Sequence, residues 1–175
     1  MLFNFSLRPF FVFAPLMLFT FFCKPAIAQQ APIYPKITGY FSVVNPIGSL
    51  NRDGFHSNFS EAYTIGFPFG INILKSDRFG VSFEVAPFIR TENNVSKVSS
   101  VLFHPGAMFR FKNGFNIIGR MAFETNGRFG ITPVFNKVIK KGKDASLFIS
   151  VPLPMRFGND QPASIGTAVQ LGVSF

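Results

Sequence analysis

From Ala163 to Phe175 the chain reads ASIGTAVQLGVSF. Successive side chains of a strand point to opposite sides, so Ile165, Thr167, Val169, Leu171, Val173 and Phe175 share one face. Ser164, Gly166, Ala168, Gln170, Gly172 and Ser174 share the other. One face calls for an apolar medium and the other is small or polar. That division suits a strand with hydrocarbon outside and a crowded polar lumen inside.

Working back from this strand, the same alternation recurs. Tyr63, Ile65, Phe67, Phe69, Ile71 and Ile73 share a face, as do Phe79, Val81, Phe83, Val85, Pro87 and Ile89, and Leu147, Ile149, Val151, Leu153 and Met155. Eight extended segments are expected: Lys36–Val44, Glu61–Leu74, Phe79–Thr91, Ser99–Phe111, Phe115–Thr125, Phe129–Ile139, Ala145–Phe157 and Ala163–Phe175. The first and sixth alternate less cleanly. Polar tight turns are expected at Lys75–Arg78, Lys112–Gly114 and Lys140–Asp144, the last two carrying the Asn and Gly that tight hairpins require. The other connections are Asn45–Ser60, Glu92–Val98, Asn126–Arg128 and Gly158–Pro162. Segments of this length match tilted membrane strands, and an even number puts the tight turns on the side of the termini. Proline cannot donate to a ladder, so bulges or breaks are expected at Pro68, Pro87, Pro105, Pro133, Pro152 and Pro154.

The amino terminus reads as a targeting segment. Arg8 precedes an apolar run from Pro9 to Cys23, and Ala26-Ile27-Ala28 has the small-x-small form of a signal-peptidase site. The expected division is a cleaved signal peptide over residues 1–28 and one barrel domain over residues 29–175. The run is shorter than the roughly 20 residues a spanning helix needs. Bulky Phe21-Phe22 ahead of Cys23 do not fit a lipid-modified cysteine. Beyond Cys23 there is no cysteine, so no disulfide supports the domain. The chain carries 17 basic and 8 acidic residues, 26 phenylalanines and no tryptophan. An exported chain meets no nucleic acid, so the expected counter-charge is the anionic headgroups of lipids. The phenylalanines, awkward on a wetted surface, suit a lipid-facing one.

On these features the chain resembles the small OmpA/OmpX-type outer-membrane barrels, from about Lys36 onward. The resemblance implies an all-β fold, an eight-stranded antiparallel transmembrane β-barrel, in the outer membrane of a diderm bacterium. It also implies that Val169-x-Leu171-x-Val173-x-Phe175 is the signal read by the outer-membrane assembly machinery. Barrels of this class serve as anchors, adhesins, narrow pores and lipid-modifying enzymes. The expectation is a non-enzymatic structural or interaction role in the envelope, with a lipid A-modifying hydrolase as the alternative and a narrow passive pore third.

Eight strands enclose a space just filled by side chains. Alternation places Glu84, Arg90, His104, Arg110, Arg120, Glu124, Arg156 and Gln170 inside. Counting across the connections sets Glu84 opposite Gly106, and Gly106 opposite Arg120. Glu84, Arg120 and His104 are then expected to form an ionic cluster, with Arg90, Glu124 and Arg156 gathered nearer the outer mouth. A buried carboxylate and guanidinium persist only when well paired, so the cluster is expected to plug the lumen or to gate a narrow path.

His56-Ser57 in the long connection invites comparison with lipid A 3-O-deacylases, small barrels with a His/Ser/Glu triad. In that family the His and Ser are two apart and share a face. Here they are adjacent, and nothing places Glu61 to orient His56. No catalytic residue, metal site or cofactor is expected: metal-ligand spacings, phosphate loops and paired acids are missing. The loop 45–60, with Phe55, His56 and Phe59, is a candidate contact surface for an envelope partner.

Overall fold

Residues 33–175 are described in the computed structural model, and the expected signal peptide lies outside the described residues. The alternating segments become strands β1 (Lys36–Asn51), β2 (Gly54–Ser57), β3 (Ala62–Gly66), β4 (Phe69–Leu74), β5 (Phe79–Glu92), β6 (Val95–Arg110), β7 (Phe115–Glu124), β8 (Phe129–Lys141), β9 (Ser146–Pro152), β10 (Met155–Phe157) and β11 (Ser164–Ser174). β3 and β4 are halves of one member, β9 and β10 are halves of another, and β2 only folds back on β1. The eleven strands therefore make an antiparallel ring of eight. Each member pairs with its neighbours in the chain, and β1 closes onto β11 from Tyr40↔Ser174 to Leu50↔Ile165. Closure joins the first and last members of the ring, and among the described residues only β2 and the ends of strands that run past their neighbours keep an unpaired edge.

The two faces of the wall are as different as the C-terminal segment suggests. On β11, Ile165, Val169, Leu171 and Val173 point out, while Ala168, Gln170 and Gly172 are buried inside. Phe41, Phe69, Phe83, Phe103, Phe109 and Phe123 all stand 47–55% exposed on the outside. Single exposed apolar residues are ordinary on a soluble protein, but a continuous band is not. Inside, among the described residues, buried apolar side chains gather in two small clusters, Leu74, Met108, Ile118 and Val134 toward the tight turns, and Ala86, Leu102 and Ala122 toward the other end. Among the described residues no helix is long and apolar enough to cross a membrane.

Several expected strand limits change. The connection at residues 45–60 is mostly a hairpin: β1 continues to Asn51, and β2 pairs with it from Gly48↔Ser57 to Asn51↔Gly54. A shift between Pro46 and Gly48 breaks the period there, which hides the extension from a count of alternating residues. The connection expected at Glu92–Val98 shrinks to Asn93-Asn94, both with positive φ, between paired Glu92 and Val95. Asn tolerates that conformation, which a two-residue type I′ hairpin needs twice.

The prolines act as a set. The chain breaks at Phe67-Pro68 and at Leu153-Pro154, dividing two expected segments. Each break lies against a proline in a continuous neighbour: Phe67 N donates to Pro87 O at 3.0 Å and Leu153 N to Pro133 O at 2.9 Å. Pro105 leaves a gap instead, since β6–β7 pairing runs through Phe103↔Phe123 and resumes at Gly106↔Arg120. Missing donors thus face places where the ladder is already interrupted, which limits stranded carbonyls.

Candidate functional site

Strand alternation aims Tyr40 of β1, Ser82 and Glu84 of β5, His104 of β6, Arg120 and Glu124 of β7, Thr132 of β8 and Arg156 of β10 into the ring. Gly106 makes the meeting possible. A Cβ there would stand 2.3 Å from Gly119 O and 2.7 Å from Arg120 Cγ, so the bare backbone lets Arg120 cross the lumen.

At the centre, Arg120 Nη1 lies 2.8 Å from Glu84 Oε2. Both residues are 5% exposed. Tyr40 donates its hydroxyl to the same oxygen at 2.8 Å and accepts from Arg120 Nη2 at 2.9 Å. Arg120 Nη2 also donates to Ser82 Oγ at 3.1 Å. His104 Nδ1 is 2.9 Å from Glu84 Oε1, and its Nε2 is 2.9 Å from Thr132 Oγ1. Arg156 Nη1 donates to Thr132 Oγ1 at 2.9 Å, and Arg156 Nε to Glu124 Oε1 at 2.6 Å. With Nδ1 protonated and Nε2 accepting from Thr132, every bond in this chain is satisfied by a neutral imidazole; the tautomer follows from the partners. Desolvating Glu84 and Arg120 costs several kcal/mol per ion, about what short charged contacts and further hydrogen bonds must offset.

The knot divides the lumen. A cavity of about 870 Å³ lies on the loop side, reaching from His56, Asn58 and Arg128 down to Glu84, His104 and Arg120. A second, of about 430 Å³, lies on the turn side, lined by Lys36, Asn72, Arg110 and Asn116 up to Tyr40 and Arg120. Arg120, Val134 and Gln170 border both.

Glu84, His104 and Arg120 are thus brought together, and so are Glu124 and Arg156. Arg90 is not: its Nε pairs with Glu92 at 3.2 Å at the rim, where both side chains are exposed. Arg90 keeps the inward-facing parity but stands too near the rim, and Glu92, two residues on along the same face, is the nearer acid. Arg110 is half-buried in the turn-side cavity, and Gln170 donates to Ser42 Oγ at 2.8 Å. The expected facing of Glu84 with Gly106 is corrected by two positions: Glu84 pairs with His104, and Ser82 with Gly106. The cause is the short Asn93-Asn94 turn together with the bulge at Ser99, opposite Phe88/Ile89. Gly106 does face Arg120. Val169, Leu171, Val173 and Phe175 are exposed on the outer side.

Tyr40, Ser82 and Thr132 also belong to the knot and were not singled out from the sequence. Their only signal was inward parity, and β1 alternates weakly. Thr132, His104 and Glu84 share the connectivity of a hydroxyl–imidazole–carboxylate triad. Thr132, however, is 1% exposed and its oxygen already accepts from Arg156, so it offers no free nucleophile. His56 Nε2 bonds Asn51 Oδ1 at 3.2 Å, and Ser57 Oγ accepts from Phe59 N. Among the described residues no three His, Cys, Asp or Glu side chains converge as a metal site would require.

The closed ring and its apolar exterior define the class: a fold like that of transmembrane β-barrels. No family model matches the chain, and no curated protein matches it. Solved structures are similar to it, two of them as follows. One, described as "De novo design of transmembrane beta-barrels", is 9% identical at a TM-score of 0.46 and covers 83% of this chain and 98% of its own. The other, the solution NMR structure of de novo designed TMB2.3, is 14% identical at a TM-score of 0.46, covering 84% and 96%.

Proposed function

We propose that this protein is an outer-membrane barrel of the bacterial envelope with a structural or interaction role and no enzymatic one. The observation that carries the reading is the pairing of an apolar outer band with a lumen tied shut by Glu84, Arg120, Tyr40 and His104. Such a wall places its free energy of burial in lipid and its rigidity in the knot, leaving the projecting β1–β2 hairpin as the accessible contact surface. Expression of the full chain in a diderm host tests this. The protein is expected in the outer-membrane fraction, dependent on detergent for solubility, and with different gel mobility before and after boiling. Detergent-free solubility with no such shift overturns it.

A narrow, gated pore is the second reading, favoured by one observation: the two cavities meet at Arg120 from opposite ends. Breaking the Glu84–Arg120 pair would join them.

A further inference from the structure

The excess charge is confined to one end of the barrel. Lys36 opens β1, Lys75 and Arg78 flank the first tight turn, Arg110 and Lys112 the second, and Lys137, Lys140, Lys141 and Lys143 surround the third. Asp77 and Asp144 are the acidic residues among them. The lumen and loop end hold Arg52, Arg90, Lys97, Arg120, Arg128 and Arg156 against Asp53, Glu61, Glu84, Glu92, Glu124 and Asp160, and so balance. The whole net charge of the described chain, +7, therefore sits at the turn end.

Two independent features place this collar at the level of lipid headgroups. A row of phenylalanines lies just above it, with Phe79 and Phe109 rings 5.5 Å apart and Phe111 and Phe115 rings 5.8 Å apart. Transmembrane barrels carry girdles of aromatic residues at that boundary. Lys137 lies on the outer face between Phe135 and Ile139, yet its ammonium donates to Asn113 O in the second tight turn at 2.6 Å. An apolar stem along the wall with the charge drawn to the rim is how lysine behaves where hydrocarbon meets water.

We infer that the collar binds the phosphodiester headgroups of anionic phospholipids in the leaflet the tight turns face. The inference rests on the membrane reading above and adds a partner and a side to it. Each cation near such a surface adds attraction that falls off within a Debye length. Two further arrangements support a ring of headgroups around the rim over one bound molecule. Lys75, Arg78, Lys112 and Lys140 are exposed and spread over all three turns, while Lys36, Arg110, Lys141 and Lys143 line the cavity mouth.

The test is electron spin resonance of spin-labelled lipids around the purified full-length protein in bilayers. Spin-labelled phosphatidylglycerol is expected to associate about threefold more strongly than spin-labelled phosphatidylcholine at low salt, a preference lost in 1 M salt, where the Debye length is about 3 Å. The triple variant Lys75→Gln, Lys112→Gln, Lys140→Gln should reduce the preference toward one. Arg52→Gln with Lys97→Gln, at the other end, should leave it unchanged. If the triple variant does not fold, Lys143→Gln alone and the salt dependence of the wild type carry the comparison. Immobilised lipid with no headgroup preference overturns the collar alone. Equal losses from both ends, or a stronger preference for lipid A that the loop-end variant abolishes, also overturn it. No immobilised lipid of either kind overturns the membrane reading itself.

Discussion

Gly39 and Phe175 fasten the ring where it closes. They exchange both main-chain hydrogen bonds, Gly39 N to Phe175 O at 2.8 Å and Phe175 N to Gly39 O at 3.0 Å. The Phe175 ring lies over the bare Gly39, where a Cβ would stand 2.7 Å from Cε2. Gly39→Val should push the ring aside and lower unfolding stability by about 1–3 kcal/mol, the range for inserting bulk into a filled site. Urea unfolding in lipid vesicles measures it. Phe175→Ala and the double variant complete a cycle that should be non-additive, because the two residues touch.

Glu84→Gln keeps the shape of the knot but leaves the Arg120 charge without its counter-ion. Breaking a buried pair from one side costs about 3–5 kcal/mol. The expected outcome is a large drop in urea midpoint, and, on the gated reading, discrete conductance steps in planar bilayers. Near-zero conductance in both wild type and variant would leave the knot as a plug alone.

Gly106, facing Arg120, and Gly119, facing Ala107, are one register step apart across β6 and β7, and they predict opposite outcomes. A Cβ on Gly106 meets the Gly119 carbonyl at 2.3 Å, whereas one on Gly119 meets nothing within 4 Å. Gly106→Ala should cost about 1–3 kcal/mol, since backbone must move to admit it. Gly119→Ala should be close to neutral. Equal unfolding midpoints for the two variants would contradict the close approach of the strands.

Tyr34, ahead of β1, donates its hydroxyl to Asp77 in the first tight turn. That bond to a carboxylate, with a smaller contribution from burial, raises the phenol above its ordinary value of 10.0. A raised acid is favoured in its neutral form by folding. Its contribution is complete below the unfolded value and is lost as pH rises through the folded one. Tracking the Tyr34 ring carbon by NMR should show ionisation delayed relative to a free tyrosine, and Asp77→Asn should bring it back down.

The strand count was legible because lipid and lumen impose a period of two on each segment, most plainly on β5 and β11. Register was not. One side chain out of step, such as Ser99, leaves the pattern readable on either side but shifts all facing partners. Inward parity therefore placed Glu84, His104 and Arg120 inside, while the partner of Glu84 depended on the two-residue turn at Asn93-Asn94. The β1–β2 hairpin was missed for a related reason: beyond the apolar band no lipid enforces alternation, so Ser49 to His56 reads as loop. Its turn did carry a signal, Asp53-Gly54, with Gly54 at φ 120°.

Tyr40 belongs to the first member of the ring and Arg120 to the fifth, so their 2.9 Å hydrogen bond spans the full width. Hydrogen bonds along the wall resist sliding between neighbouring strands but oppose flattening of the cross-section only weakly. A tie from one side to the other stops that deformation directly, because any ovalisation along its axis must stretch it. Uneven lateral pressure is then met like load on a spoked wheel, with tyrosine and arginine as the widest spoke and the Glu84, His104 and Arg156 bonds as shorter ones.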